Sequence, residues 1–457
     1  MFESISSWIR IRKKEELELA QEQLIKYSLP FFNADDGSGR TARISKAMLD
    51  GDGNYLNELS ISNLNGEDDK VADNLLMIHG YGAGLGVFCR NYDSMTRLED
   101  KSRKFQLFSI DMLGHSLSSS TPFNFKEEGF RSPKVSFYYK KEPNQLQEAQ
   151  SSVASLGKLP SSQIKAEVKI PSLDFLDDQG TLRKLAETTK KTTELYENYY
   201  VESIEKWRQS KNLSKINLLG HSFGGYLSLC YALKYPDNVE KLILVSPVGI
   251  ERSVYSINSM KQLSDKKALT GIEASADSLS YSNFGMLTRL PSVFIKLWDT
   301  SSLPFGILRN MGPVGVWMAS GYASRRYQQS ATDEKELDLL SKYVLATFWK
   351  KSSTEKAITR LLAPIGAARD PGFDKLVAFK EAQADGRIAA KFPETLWIYG
   401  DKDWMDVKAG RAASNYINRS DLGAKSSFKI IPDSGHNIFL DNPQGFTSVI
   451  KKFLNWE

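Results

Sequence analysis

The feature that most constrains this chain is a pentapeptide, Gly220-His221-Ser222-Phe223-Gly224, set between an apolar run and a helical stretch. The run INLL (216–219) reads as a buried strand, and FGGYLSLCYALKYP opens a helix that ends at Pro236. In that context G-x-S-x-G predicts a sharp strand-to-helix turn that exposes the serine oxygen. Glycines on either side allow close backbone approach, and the helix N-terminus favours developing negative charge beside Ser222. A second G-H-S, Gly114-His115-Ser116, lacks the closing glycine and any following helix, so 111–118 reads as a loop after a neighbouring strand.

The rest of the chain supplies the frame that such a turn needs. LLMIHG (75–80), FQLFSID (105–111), LILVSP (242–247), TLWIYGD (395–401) and FKIIPD (428–433) read as further strands, each short and apolar. Helical stretches separate them. Residues 15–28 read as an amphipathic helix, 41–62 as two strands around Gly51-Asp52-Gly53, and the last apolar face, Phe446 to Leu454, as a terminal helix. The alternation predicts an α/β-hydrolase fold: a mostly parallel central sheet with helices on both faces and an inserted helical cap. We divide the chain into an N-terminal helical, membrane-proximal segment (1–40), a first core part (41–250), the cap (251–390) and a C-terminal core part (391–457). Residues 121–180 form an insertion whose Lys/Ser/Gln-rich part, 140–165, reads as loop-like or disordered. No internal repeat of fixed period is present.

In this fold the chain order is nucleophile, acid, base. Of the four histidines, only His436 lies downstream of Ser222, so it is assigned as the base. The acid should follow the strand TLWIYG, where Asp401, Asp403 and Asp406 are candidates. We favour Asp403, far enough past Gly400 to turn back towards His436, with Asp401 serving the turn. The oxyanion hole needs two backbone N–H groups. Phe223 is assigned one, and the glycine-rich loop 79–84 the other, with Tyr81 preferred over Gly82. No Gly-Lys-Ser/Thr follows that loop, which excludes a phosphate-binding loop of the P-loop kind.

Composition narrows the partners. Sixty basic residues against 55 acidic ones give a net charge of +5, spread and interleaved, so a nucleic-acid partner is not expected. Cys89 and Cys230 belong to no metal-binding or disulfide pattern, and neither a metal nor a cofactor is expected. No apolar run reaches the roughly 18 residues of a membrane span. The first fourteen residues place Phe2, Ile5, Trp8 and Ile9 on one helical side, followed by Arg10, Arg12, Lys13 and Lys14. They read as an interfacial anchor or a mitochondrial presequence, or else as a frayed terminus. Peripheral membrane association with a phospholipid substrate is therefore the expectation.

The segments HGYGAG (79–84), GHSFGGYLS (220–228), YALKYPD (231–237), YGDKDWMD (399–406) and GHNIFLDNPQ (435–444) together resemble one family. It is the branch of α/β-hydrolases that includes the animal lipid-droplet lipase co-activator, whose fungal members include a cardiolipin-specific deacylase and a lysophosphatidic acid acyltransferase. The resemblance spans about 15–120 and 195–456. It implies Ser222 as nucleophile, Asp403 as acid and His436 as base, in a phospholipase-type deacylase acting in mitochondrial phospholipid remodelling, peripheral on the inner membrane. The alternatives are an acyltransferase using acyl-CoA as co-substrate, placed in the cytoplasm or on lipid droplets, and a non-catalytic lipase regulator. The animal co-activator lacks the serine that this chain keeps. The resemblance also implies an acyltransferase motif, H-x-x-x-x-D, from His436 to Asp441. Its plainer alternative is that Asp441 and Asn442 cap the last helix, with Pro443 in the first turn. It further implies a phosphate contact at Arg369, the alternative being a salt bridge. Phe284, Phe294, Trp298, Phe305 and Trp317 of the cap would line an acyl channel, dip into a bilayer, or pack the cap on the sheet.

Overall fold

The apolar runs pair into one eight-stranded sheet. The computed structural model describes residues 13–34, 37–63, 73–98, 104–120, 123, 132, 136–142, 145–148, 166–169, 179–253, 255–264, 292–300, 306–350 and 355–456. The strands are β1 (Thr41–Met48), β2 (Tyr55–Asn63), β3 (Asp73–Ile78), β4 (Phe105–Ile110), β8 (Ile216–His221), β9 (Val239–Val245), β10 (Glu394–Gly400) and β11 (Ser426–Ile431). Three short strands, β5 (Ser136–Glu142), β6 (Gln145–Glu148) and β7 (Ala166–Lys169), belong to a second sheet. The sheet order is β1-β2-β4-β3-β8-β9-β10-β11. β1, β2 and β4 pair antiparallel, and every pairing from β4 onwards is parallel.

Period-two alternation assigns each central strand to two cores. Leu76, Ile78, Leu218, Leu242, Leu244, Trp397 and Tyr399 face one way, where they pack with Tyr196, Tyr226, Leu376 and Ala413. Those four belong to helices Gln179–Ser210, Phe223–Lys234, Gly372–Ala384 and Val407–Arg419. Leu75, Met77, Leu219, Ile243, Val245, Leu396 and Ile398 face the other way, against Leu24, Tyr92, Tyr343 and Ile450. These come from helices Lys14–Ser28, Cys89–Thr96, Glu334–Trp349 and Pro443–Leu454. With both faces covered, β8 is buried along its whole length, which is why INLL carries no polar alternation.

Between β9 and β10 the described residues are helical. Helices Ser292–Asp299, Gly306–Asn310, Pro313–Tyr327 and Glu355–Leu361 gather over the end of the sheet where Ser222 lies, while Glu334–Trp349 and Gly372–Ala384 also join the two cores. The insertion departs from the loop-like reading of 140–165. β5 (Ser136–Glu142), β6 (Gln145–Glu148) and β7 (Ala166–Lys169) form a separate antiparallel sheet in the order β6-β5-β7. Of the stretch 140–165, only the end of β5 (140–142) and β6 (145–148) are described, and Phe137, Tyr138 and Tyr139 just before it are strong strand formers that begin β5. The amphipathic pattern of the first twelve residues lies outside the described residues.

Candidate active site

β8 delivers Ser222 on a strained turn. Its φ of 54° and ψ of −114° lie where L-residues seldom sit, and helix Phe223–Lys234 starts at the next residue. The conformation is held by hydrogen bonds from the Ser222 N–H to the Val245 carbonyl (2.9 Å) and from the Tyr226 and Val248 N–H groups to the Ser222 carbonyl (3.1 and 3.2 Å). The motif's glycines are required by space. A Cβ at Gly220 would lie 2.3 Å from the Gly224 carbonyl oxygen, and one at Gly224 would lie 2.4 Å from that of His79.

The turn after β11 brings His436 to the serine. Its Nε2 is 3.0 Å from Ser222 Oγ and its Nδ1 is 3.1 Å from Asp403 Oδ1. A carboxylate can only accept, so Nδ1 carries the proton and Nε2 is left to accept from the hydroxyl. Burial works against ionisation of Asp403, but the hydrogen bonds from His436 and from the Met405 N–H, with the His436 charge and the nearby Ser246 hydroxyl, outweigh it and hold the carboxyl below its ordinary range. The rival acids have other partners. Asp401 accepts from the Ser434 N–H (2.9 Å), tying the β10 and β11 loops together. Asp406 caps helix Val407–Arg419 by accepting from the Lys408 and Ala409 N–H groups.

Two residues to which the sequence reading gave no role stand beside this series. His221 Nε2 donates to the His436 carbonyl (3.0 Å), and burial pushes its imidazole well below the usual range, so it stays neutral. Its position inside G-H-S was visible; its partner, 215 residues away, was not. Ser246, with a φ of 45°, sits at the end of β9 beside Asp403. Nothing in the local sequence marks it.

The loop after β3 packs directly on the serine turn, and a Cβ at Gly80 would lie 2.9 Å from His221 Nδ1 and 3.0 Å from Ser222 Cβ. His79 holds the loop through Nδ1–H to the Gly80 carbonyl (2.7 Å) and through Nε2, which accepts from the Met112 N–H (3.0 Å). Buried Asp111 accepts from the Leu85 and Leu117 N–H groups and from Asn57 (2.7, 3.0 and 2.7 Å), and so joins this loop to the one containing Ser116. Tyr81 and Phe223 both border the cavity over Ser222. As the first residue of its helix, Phe223 has an N–H with no acceptor inside that helix.

That cavity has a volume of about 1170 Å³. Its apolar lining includes Val248, Phe294, Trp298, Leu308, Ile358 and Leu362. Its polar lining includes Arg326, Gln329, Ser330, Asn437 and Asp441, beside His436 and Ser222. Trp298 is fixed by donating from its indole nitrogen to the Leu362 carbonyl (2.9 Å). Trp317 is not part of the cavity lining and is 69% exposed. Phe284 and Phe305 lie outside the described residues. Among the described residues no group of His, Cys, Asp or Glu could hold a metal ion, and no helix is long and apolar enough to cross a membrane.

Two expectations change. Arg369 is buried, and its guanidinium bonds to Asp299 Oδ1 (3.1 Å), Ser132 Oγ (3.0 Å) and the Thr359 carbonyl. A phosphate contact is therefore replaced by the salt-bridge alternative, since these partners enclose the cation. Asp441 neither contacts His436 nor caps the last helix. Asn442 is the cap, accepting from the Gly445 N–H (2.9 Å), with Pro443 in the first turn. The Asp441 carboxylate instead accepts a two-pronged bond from Arg326 (3.0 Å each).

Residues 73–443 match the model of the alpha/beta hydrolase fold. The chain belongs to the α/β-hydrolase family. It is similar to the 1-acylglycerol-3-phosphate O-acyltransferase ICT1 of Saccharomyces cerevisiae, at 30% identity over 395 residues, which are 85% of this chain and 83% of that protein. It is similar at 26% to the rat 1-acylglycerol-3-phosphate O-acyltransferase ABHD5, over 83% of this chain and 77% of that one. The human (lyso)-N-acylphosphatidylethanolamine lipase is 23% identical, over 83% of this chain and 79% of its own length. This α/β-hydrolase thus sits among relatives named for lipid acyl transfer and for lipid hydrolysis.

Proposed function

We propose that this α/β-hydrolase is a serine-dependent phospholipid acyl hydrolase, removing a fatty acyl chain from cardiolipin or a related glycerophospholipid. The observation that carries the reading is the series Ser222–His436–Asp403, hydrogen-bonded end to end beneath an amphiphilic cavity. Ser222 Oγ attacks the ester carbonyl while its proton passes to His436 Nε2. The N–H groups of Phe223 and Tyr81 stabilise the oxyanion. The ester C–O bond breaks, and His436 returns the proton to the leaving glycerol oxygen. Water then adds to the acyl-enzyme with His436 as base, and the fatty acid leaves as Ser222 regains its proton. The apolar residues of the cavity suit an acyl chain and its polar ones a head group.

The same acyl-enzyme could pass its chain to a lysophospholipid, with acyl-CoA as donor; the names of the ICT1 and ABHD5 relatives favour this second reading. A role as a non-catalytic regulator is disfavoured by a serine held ready for attack. We place the protein at a membrane surface, on the mitochondrial inner membrane in preference to the cytoplasm or a lipid droplet. The basic, apolar pattern of residues 1–14 supports this, as do Val314 and Trp317 (54% and 69% exposed) on the cap helix whose Met318 and Tyr322 border the cavity. The test uses mixed liposomes of cardiolipin, phosphatidylethanolamine, phosphatidylcholine and lysophosphatidic acid, with and without acyl-CoA, analysed by mass spectrometry. Monolysocardiolipin formed by the wild type and not by Ser222→Ala supports the deacylase. Phosphatidic acid formed only with acyl-CoA replaces it with the acyltransferase.

A further inference from the structure

The environment of Asp441 points to a role that its place in H-x-x-x-x-D does not suggest. We propose that Asp441 is a positioning residue that latches the cap helix Pro313–Tyr327 to the loop carrying His436, and that it takes no proton in the reaction. The inference rests on the proposed Ser222 chemistry.

Four donors converge on this carboxylate: both terminal nitrogens of Arg326 (3.0 and 3.0 Å), the Ser330 hydroxyl (2.8 Å) and the Gly435 N–H (3.0 Å). Arg326 lies in the last turn of the cap helix, Ser330 lies just beyond it, and Gly435 immediately precedes His436. One side chain therefore joins the cap to the backbone of the base. The fork geometry of Arg326 fixes orientation as well as distance. Arg90 reinforces the same junction by donating to the carbonyls of Ser330 and Leu440. His436 is then constrained at its ring by Asp403 and at its carbonyl by His221, and the residue before it is held at its N–H by Asp441.

The alternative is that Asp441 removes a proton from an acceptor hydroxyl. A carboxylate has about four acceptor positions, and four donors meet Asp441. Burial opposes its ionisation, but the bonds from Arg326, Ser330 and Gly435 outweigh that and hold its carboxyl below the ordinary range, which makes it a poor base. No hydrogen bond joins it to His436 among the described residues. Within the deacylation chemistry, a displacement of the His436 loop acts on every step that uses the imidazole, so acyl transfer and hydrolysis should fall together.

The test compares Asp441→Asn, Arg326→Gln and the double variant with the wild type. Thermal unfolding is followed by circular dichroism, and the rate of Ser222 labelling by a fluorophosphonate is measured in each. Steady-state kinetics use a short soluble ester and liposomal phospholipid, with and without lysophosphatidic acid and acyl-CoA. Loss of alignment at the base predicts a fall in kcat of about ten- to a hundredfold. KM for the short ester should barely change, hydrolysis and transfer should fall by the same factor, and labelling should slow in step. The double variant should be no slower than the worse single variant, because both break one latch. Arg326→Gln keeps the Ser330 and Gly435 contacts, so it reports on the latch if Asp441→Asn fails to fold. Selective loss of transfer with hydrolysis intact would overturn the proposal, as would single-variant effects that multiply. Absence of wild-type labelling at Ser222 would instead remove the serine chemistry on which the proposal rests.

Discussion

Ser222, His436 and Asp403 come from three loops at the same end of the sheet, and each is held by backbone contacts before any substrate arrives. Asp403→Asn should keep the fold but favour the wrong imidazole tautomer, lowering kcat by as much as about 10⁴-fold in ester-hydrolysis assays. A loss below tenfold would place the functional acid elsewhere. Gly224→Ala puts a methyl group into the His79 carbonyl and should cost about 1–3 kcal/mol of stability. Urea unfolding of the variant measures this, and an unchanged midpoint would contradict the packing described. At this scale the site was legible because few residues were eligible: four histidines, of which one lies downstream of the serine, and three aspartates after one strand. The partners of Asp441 and Arg369 were not legible, because Arg326 and Asp299 are 115 and 70 positions away. Sequence spacing does not report which cation a carboxylate will meet across the cap.

Among the elements, the strands and the long helices followed from apolar periodicity, since β3, β8, β9 and β10 must be buried on both faces and the flanking helices on one. β6 escaped that reading because Gln-Leu-Gln-Glu carries one apolar residue in a lysine- and glutamine-rich stretch, too few for an alternating pattern to show. The final helix is set by its Asn442 cap, so Asn442→Ala should destabilise the protein by about 1 kcal/mol. Calorimetry showing no change in melting temperature would contradict the cap. The cap helix Pro313–Tyr327 turns Val314 and Trp317 to solvent. Replacing both with serine should weaken sedimentation with anionic vesicles while leaving hydrolysis of a short soluble ester unchanged. Undiminished vesicle binding would assign membrane contact to another part of the chain.

The molecule as a whole carries three buried histidines, His79, His115 and His221, whose imidazoles burial holds below the ordinary value of 6.5. In the unfolded chain these groups take up protons as the pH falls through about 6.5, whereas in the native state they stay neutral. Acidification therefore favours unfolding, by on the order of 1 kcal/mol per histidine for each pH unit below that value. The carboxyls of Asp403 and Asp441, held low, keep their contribution until the pH drops through their native values, below this window. The buried carboxyls of Glu197 and Asp374, raised by burial, act in the opposite sense nearer their own range. The melting temperature should thus fall between pH 7.5 and 5.5; a flat or rising profile would contradict the neutral assignment. The central claim is more demanding, since it requires one oxygen among all the hydroxyls of the chain to carry an acyl group during turnover. The direct measurement is mass spectrometry of peptides from protein quenched in acid while it acts on a phospholipid of one acyl composition. That acyl mass is expected on Ser222 and absent from Ser222→Ala. Fatty acid released without an adduct, at a rate unaffected by Ser222→Ala, would contradict it.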